Sequence, residues 1–247
     1  MKAGERFDRN YEGREGGYKF SGKQNFQTEN INVSGSAELE RADARKIIIS
    51  GSAAVKSDVD CEELRCSGSV KAGGSIRAET VTVSGSFAAD RNIHCENAVI
   101  SGSCRTGGSF LASGTIEVAG SLACGDSITC DILDAAGRIG ASSVSAGRFR
   151  VNGGGELGEV ECVTAEINRE RRKGRLKRLL GRMGNRGELK IDTLHAQEEV
   201  YTRYCSVNEL TARRAVLSGG SVIRKLIYSD TFVVEEDAVV QETIKLQ

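Results

Sequence analysis

The chain has 247 residues, 34 of them basic and 34 acidic, with a formal net charge of zero, no Pro and no Trp. No apolar run approaches the roughly 18 residues of a membrane-spanning helix, and Met1 to Arg6 runs into polar sequence without a signal-peptide core, so a cytoplasmic protein is expected. The missing Pro suits a backbone whose N–H groups nearly all enter sheet ladders.

Residues 1–28 carry Phe7, Tyr11, Tyr18, Phe20 and Phe26, five of the chain's twelve Phe and Tyr residues. Disordered segments are poor in aromatics, so this stretch reads as an N-terminal tail or a cap on the first coil.

From residue 29 a short phrase recurs. Ser34-Gly35-Ser36 returns at Ser50, Ser67, Ser84 and Ser101, then in weaker form at Ala119-Gly120-Ser121, Ala136-Gly137 and Asn152-Gly153. The step is about 16 to 18 residues, whereas helical hairpin repeats need about 33 residues or more, so the period is one turn of a β-solenoid. Between phrases the apolar residues come in pairs separated by two, the strand period, as in Val70 and Ala72, Ile76 and Ala78, Val81 and Val83. Three such pairs per turn predict an all-β, three-sided parallel β-helix over 29–167, each phrase opening a new coil. A Gly/Ser linker would not carry six phased apolar positions per period. Gly35, Gly51, Gly68, Gly85 and Gly102 are assigned as structural corners, on the expectation that each turn needs the positive φ that Gly adopts freely.

Residues 168–188 break the phasing. Positions 169 to 186 hold nine Lys or Arg against one Glu, a net +8, which leaves −8 on the rest of the chain. Leu176, Leu179, Leu180 and Met183 fall at the spacing of one helical face, so the segment reads as a basic, amphipathic helix or loop inserted between coils. It could lay its Leu stripe on the solenoid wall, or it could meet an anionic membrane or partner through Arg171, Arg172, Lys173, Arg175, Lys177, Arg178 and Arg182. Nucleic acid is the weakest reading, because no aromatic residue is interleaved to stack on bases.

Coils resume over 189–247, with Leu189 and Ile191, Cys205 and Val207, and a returning Ser218-Gly219. The alternation runs on through Phe232, Val234, Val240, Ile244 and Leu246, read as inward residues of a final coil. A solenoid end is a row of unpaired N–H and C=O groups over an apolar cross-section, which templates pairing unless it is covered. End-to-end stacking on those five residues is therefore expected. The eight cysteines fall at inward offsets, with no CxxC and no zinc-like spacing, so they are read as core, and no cofactor or metal is expected.

Turns such as Val81-Thr82-Val83-Ser84-Gly85-Ser86, followed by a second strand like Asn92-Ile93-His94-Cys95, resemble those of bactofilins, the bacterial polymer-forming cytoskeletal proteins. The resemblance covers roughly residues 30–167 and 189–247. It implies a right-handed β-helix and a homopolymer formed without nucleotide, pairing with itself or with a paralogous solenoid. It also implies a scaffold serving cell shape, envelope or motility, in the cytoplasm or at the inner face of the membrane. The repeat region is longer than the compact core of that family, and its Pro-rich tails are missing, which leaves the basic insertion as the targeting device.

Two other classes share the coils. A non-polymerising scaffold would differ only in having covered ends. A β-helix enzyme is disfavoured. Hexapeptide acyltransferases keep a strict six-residue rule and a catalytic base, whereas the turns here are uneven and mostly too short for that rule, and the only histidines are His94, an exterior coil residue, and His195. Carboxylates are scattered, and no phosphate-cradling loop or calcium repeat is present.

Overall fold

A computed structural model describes residues 28–168, 188–235 and 237–246. The N-terminal tail or cap and the basic insertion, including Arg171, Arg172, Lys173, Arg175, Lys177, Arg178 and Arg182, fall outside these residues. The described residues form a single 23-stranded ladder in which every pairing is parallel, with no helix.

One coil shows the plan. Ser69–Ala72, Ile76–Arg77 and Thr80–Val83 make three successive sides, and each pairs with its equivalent in the next coil, as in Val70 on Phe87, Ile76 on Ile93 and Val81 on Ala98. Strand pleating sends alternate side chains inward. Ala72, Ile76, Ala78, Val81, Val83, Ile93 and Ile100 are all fully buried. Each large aliphatic among them gains about 1.5–3 kcal/mol from leaving water.

The stack is deep. Its third side carries an inward column through Val33, Ile49, Cys66, Val83, Ile100, Val118, Ala135, Val151, Ile167, Thr202, Leu217 and Val234. Twelve layers at about 4.8 Å each give a rod roughly 55 Å long.

The corner glycines are stacked on one another, but the reason differs from the sequence expectation. Among the described glycines positive φ occurs only at Gly155, Gly219 and Gly220, so Gly35, Gly51, Gly68, Gly85 and Gly102 turn with backbone angles open to any residue. What selects Gly is the neighbouring coil: a Cβ on Gly85 would lie 2.0 Å from the carbonyl oxygen of Gly68, and one on Gly68 would lie 1.8 Å from that of Gly51.

After Ala136 the strands lengthen. Arg138–Val151, Gly154–Asn168, Leu189–Arg203 and Cys205–Ser218 each wrap a whole coil without leaving the ladder. The insertion does not disturb it. The step along the chain from Gly155 to its partner Leu189 is more than twice that from Leu189 to Cys205, so the extra chain leaves at the corner after Ile167 and returns at Glu188. Beyond it the same corner does become left-handed, with φ of 54° at Tyr204 and 59° at Gly219.

All eight cysteines are free and buried. Burial pushes the Cys66 thiol up to about 11 and those of Cys95, Cys124, Cys130, Cys162 and Cys205 to about 12. A raised folded pKa means the fold holds the neutral thiol. This contribution is whole below the unfolded pKa near 9 and is lost as pH climbs from there through 12. We expect a thiol reagent at pH 8 to leave the native protein essentially unlabelled and to label all eight in urea, and we expect thermal stability to fall above pH 9.

Candidate functional site

The ends of the ladder are where the described structure leaves its bonding incomplete. Val239–Lys245 pairs on one side with Val222–Tyr228, and no described strand pairs with its other side. At the opposite end Thr28–Val33 pairs only with the strand Ala42–Ile49 among the described residues.

Burial changes abruptly toward the C-terminal edge. Of the eight large apolar residues exposed among the described residues, six lie between 222 and 246: Val222, Val233, Val234, Val239, Ile244 and Leu246, at 38% to 50% exposure. Phe232 and Val240 are half-buried and pack against the core from its open end. Phe232 also meets Tyr228, with ring centroids 4.7 Å apart.

The register corrects part of the sequence reading. Ile244 stacks on Ile227 in the outward column of the second side, and it is Thr243 and Lys245 that follow the inward Leu226 and Tyr228. The Lys245 ammonium lies 5.9 Å from the Tyr228 ring centroid, a cation–π contact across the end of the coil. Leu246 comes after this pair and donates its backbone N–H to Tyr228. Ile244 and Leu246 therefore reach solvent at the rim of the edge, whereas Phe232, Val234 and Val240 continue inward columns. Val222, Val233 and Val239 are exposed apolar residues that the sequence reading passed over. They stand in outward columns, which only the register reveals.

The outer sides are laced by ion pairs one coil apart, such as Lys46 with Glu63 at 2.7 Å, Arg45 with Glu62 at 2.8 Å, and Arg150 between Asp134 and Glu166. Exposed pairs of this kind contribute about 0–1 kcal/mol each. His94 and His195 occupy one outward column with Leu111, Thr129, Ser145 and Glu161 between them. Five strand spacings hold them about 24 Å apart, too far to act as a pair. No cluster of three or more His, Cys, Asp or Glu that could hold a metal occurs among the described residues. No helix among them is long and apolar enough to cross a membrane.

Residues 15–110 match the family model of the bactofilins, described as polymer-forming cytoskeletal. Over that stretch the chain is similar to the bactofilins. No curated protein and no solved structure matches the chain. Of the described residues, the bactofilin match takes in the coils with regular Ser-Gly-Ser corners. The ladder then continues past Phe110, without a change of pairing, to the insertion and the C-terminal edge.

Proposed function

We propose that this protein is a structural scaffold that assembles end to end through its C-terminal edge, by extension of one β-helix into the next. The observation that supports the reading is the coincidence, on one edge, of a strand whose outer side has no described partner and the exposed apolar residues Val234, Val239, Ile244 and Leu246. An edge of that kind is a template for a further strand, and its apolar rim loses contact with water once a second solenoid, of this chain or a paralogue, covers it. Parallel coils need no nucleotide to stack, so the assembly is driven by burial and backbone hydrogen bonds alone.

Negative-stain electron microscopy of the purified protein, without nucleotide or metal and at low and physiological salt, is expected to show filaments. Discrete rods of roughly 55 Å at all concentrations would instead favour a scaffold that presents its sides to partners.

The basic insertion gives the scaffold a second contact, with an anionic membrane surface at the inner face of the cell membrane, through Arg171, Arg172, Lys173, Arg175, Lys177, Arg178 and Arg182. Replacing Arg171, Arg172, Lys173, Lys177 and Arg178 by Gln should abolish flotation with vesicles rich in anionic lipid and leave filaments intact. Equal flotation of both proteins would remove the membrane contact.

A further inference from the structure

We infer that the outer face of the first side, from Ser52 to Arg138, is a docking surface for an anionic lipid bilayer, held by Lys71, Arg105 and Arg138. The contact lies on the flank of the rod, apart from the C-terminal edge and from the basic insertion, and depends on neither.

Two outward columns make the face. One is Ser in every coil from Ser52 to Ser121 and then Arg138; the other runs from Ala54 to Gly140 and holds only Ala or Gly apart from Lys71 and Arg105. No carboxylate stands in either column between Glu38 and Glu156. The three cations are exposed and fall in every second coil, a rise of about 10 Å. Every other side chain on the face is short, so the cations are its tallest groups.

What marks these cations is that no carboxylate answers them. On the outward columns of the other two sides, Arg77, Lys225, Lys46, Arg65, Arg150 and Arg214 are each ion-paired, and Arg148 is the exception. Lys71, Arg105 and Arg138 have no carboxylate partner among the described residues. A paired cation must first be drawn from its carboxylate, whereas these three keep their whole charge for an anion from outside.

The cross-section of the rod is polar as well. The corner between the second and third sides, opposite the face, stacks Glu62, Glu79 and Glu96, with Glu79 and Glu96 each donating a backbone N–H to the carbonyl of the one before. Burial and the Glu62 and Glu96 carboxylates push the Glu79 carboxyl above its ordinary value. The uncharged Ser-Gly-Ser corner borders the face on one side, and on the other Lys56 and Arg91 stand against Asp58, Asp90 and Asp126, so the flank remains positive. A rod that is basic on one flat face and acidic on the far corner turns that face toward a negative plane. A bilayer suits it better than nucleic acid, because the face has no aromatic side chain on which a base could stack. Once the cations bring headgroups close, the Ser hydroxyls can donate to their phosphate oxygens.

Vesicle flotation of the full-length chain tests this, at low salt and below the concentration at which filaments form. Wild type should float with vesicles of equal phosphatidylglycerol and phosphatidylcholine, and not with phosphatidylcholine alone. A cation near such a surface contributes about fivefold in partitioning, so Lys71→Gln with Arg105→Gln and Arg138→Gln should lower it roughly 100-fold. Lys46→Gln with Arg65→Gln and Arg150→Gln removes the same charge from the third side, which faces away, and should change it by less than about threefold. An unchanged face variant, or a control that falls as far, would overturn the inference. So would a face variant that floats as before but no longer associates side by side in electron micrographs, which assigns the face to a second copy, or one that loses only duplex DNA, which assigns it to nucleic acid. Run beside the Gln variant of the insertion, the two membrane contacts fail separately: loss with the insertion set alone overturns this inference and leaves the other contact standing. Should the triple variant fail to fold, as judged by circular dichroism, Arg105→Gln alone carries the test with a loss of about fivefold.

Discussion

Val234→Glu combined with Leu246→Glu is expected to convert filaments into rods of roughly 55 Å and to raise the concentration needed for assembly by at least about 100-fold. Both residues are exposed in the single chain, Val234 at 43% and Leu246 at 48%, so a carboxylate at either position reaches water and the solenoid folds. In a stacked edge the same carboxylates are taken out of water without a partner, and each buried, unpaired charge costs several kcal/mol. A 100-fold change corresponds to only about 2.7 kcal/mol, well within that cost. Sedimentation of polymer as a function of concentration measures the shift, and microscopy identifies the product. Thr82→Glu, outward in the middle of the rod, is the matched control and should leave assembly unchanged. Filaments formed equally well by the double variant would place the contact elsewhere, with the strand Thr28–Val33 as the next edge to alter.

The outward place of Ile244 shows where sequence reasoning reached its limit. In the regular coils, the alternation of Val81, Val83 and Ile93 is held in phase by a recurring corner, so inward residues could be named from period alone, and all three are buried. The final coil has no Ser-Gly-Ser to reset the count. Two residues, Gln241 and Glu242, separate the inward Val240 from the next side, so Thr243 and Lys245 take the inward places and the apolar Ile244 points out. Reading apolar as inward gave the opposite assignment. The outward place of Val233, in one column with Tyr201 and Val216, was hidden for a related reason. The register shifts between Cys162 and Thr164, between His195 and Glu199 and between Ala212 and Arg214, so no fixed period connects those coils. Counting back one residue from the inward Thr202, Leu217 and Val234 would have found it.

The corner column is the opposite case: its position was readable and its cause was not, since a need for positive φ and a lack of room both select Gly. The two causes predict different outcomes along the column. Gly85 donates its N–H to the Cys66 carbonyl at 3.1 Å, and Ser86 donates to the Gly68 carbonyl at 2.8 Å, so the backbone on both sides of the corner is tied to the coil below. A methyl group on Gly85 would stand 2.0 Å from that same Gly68 oxygen and 2.5 Å from the oxygen of Ser67. Relief requires moving one coil off the other and lengthening these bonds, because the obstacle is backbone and has no rotamer to adopt. Gly85→Ala should therefore cost at least about 2–3 kcal/mol, and Gly85→Val more. Gly35 opens the column, and a Cβ there meets nothing within 4 Å among the described residues. Gly35→Ala should change stability by less than about 0.5 kcal/mol, or raise it slightly by restricting the unfolded chain. Were positive φ the reason for Gly, both substitutions would be penalised alike. Denaturant midpoints for Gly35→Ala and Gly85→Ala decide between the two causes: a large gap assigns the column to coil-on-coil contact, and equal losses return it to backbone conformation.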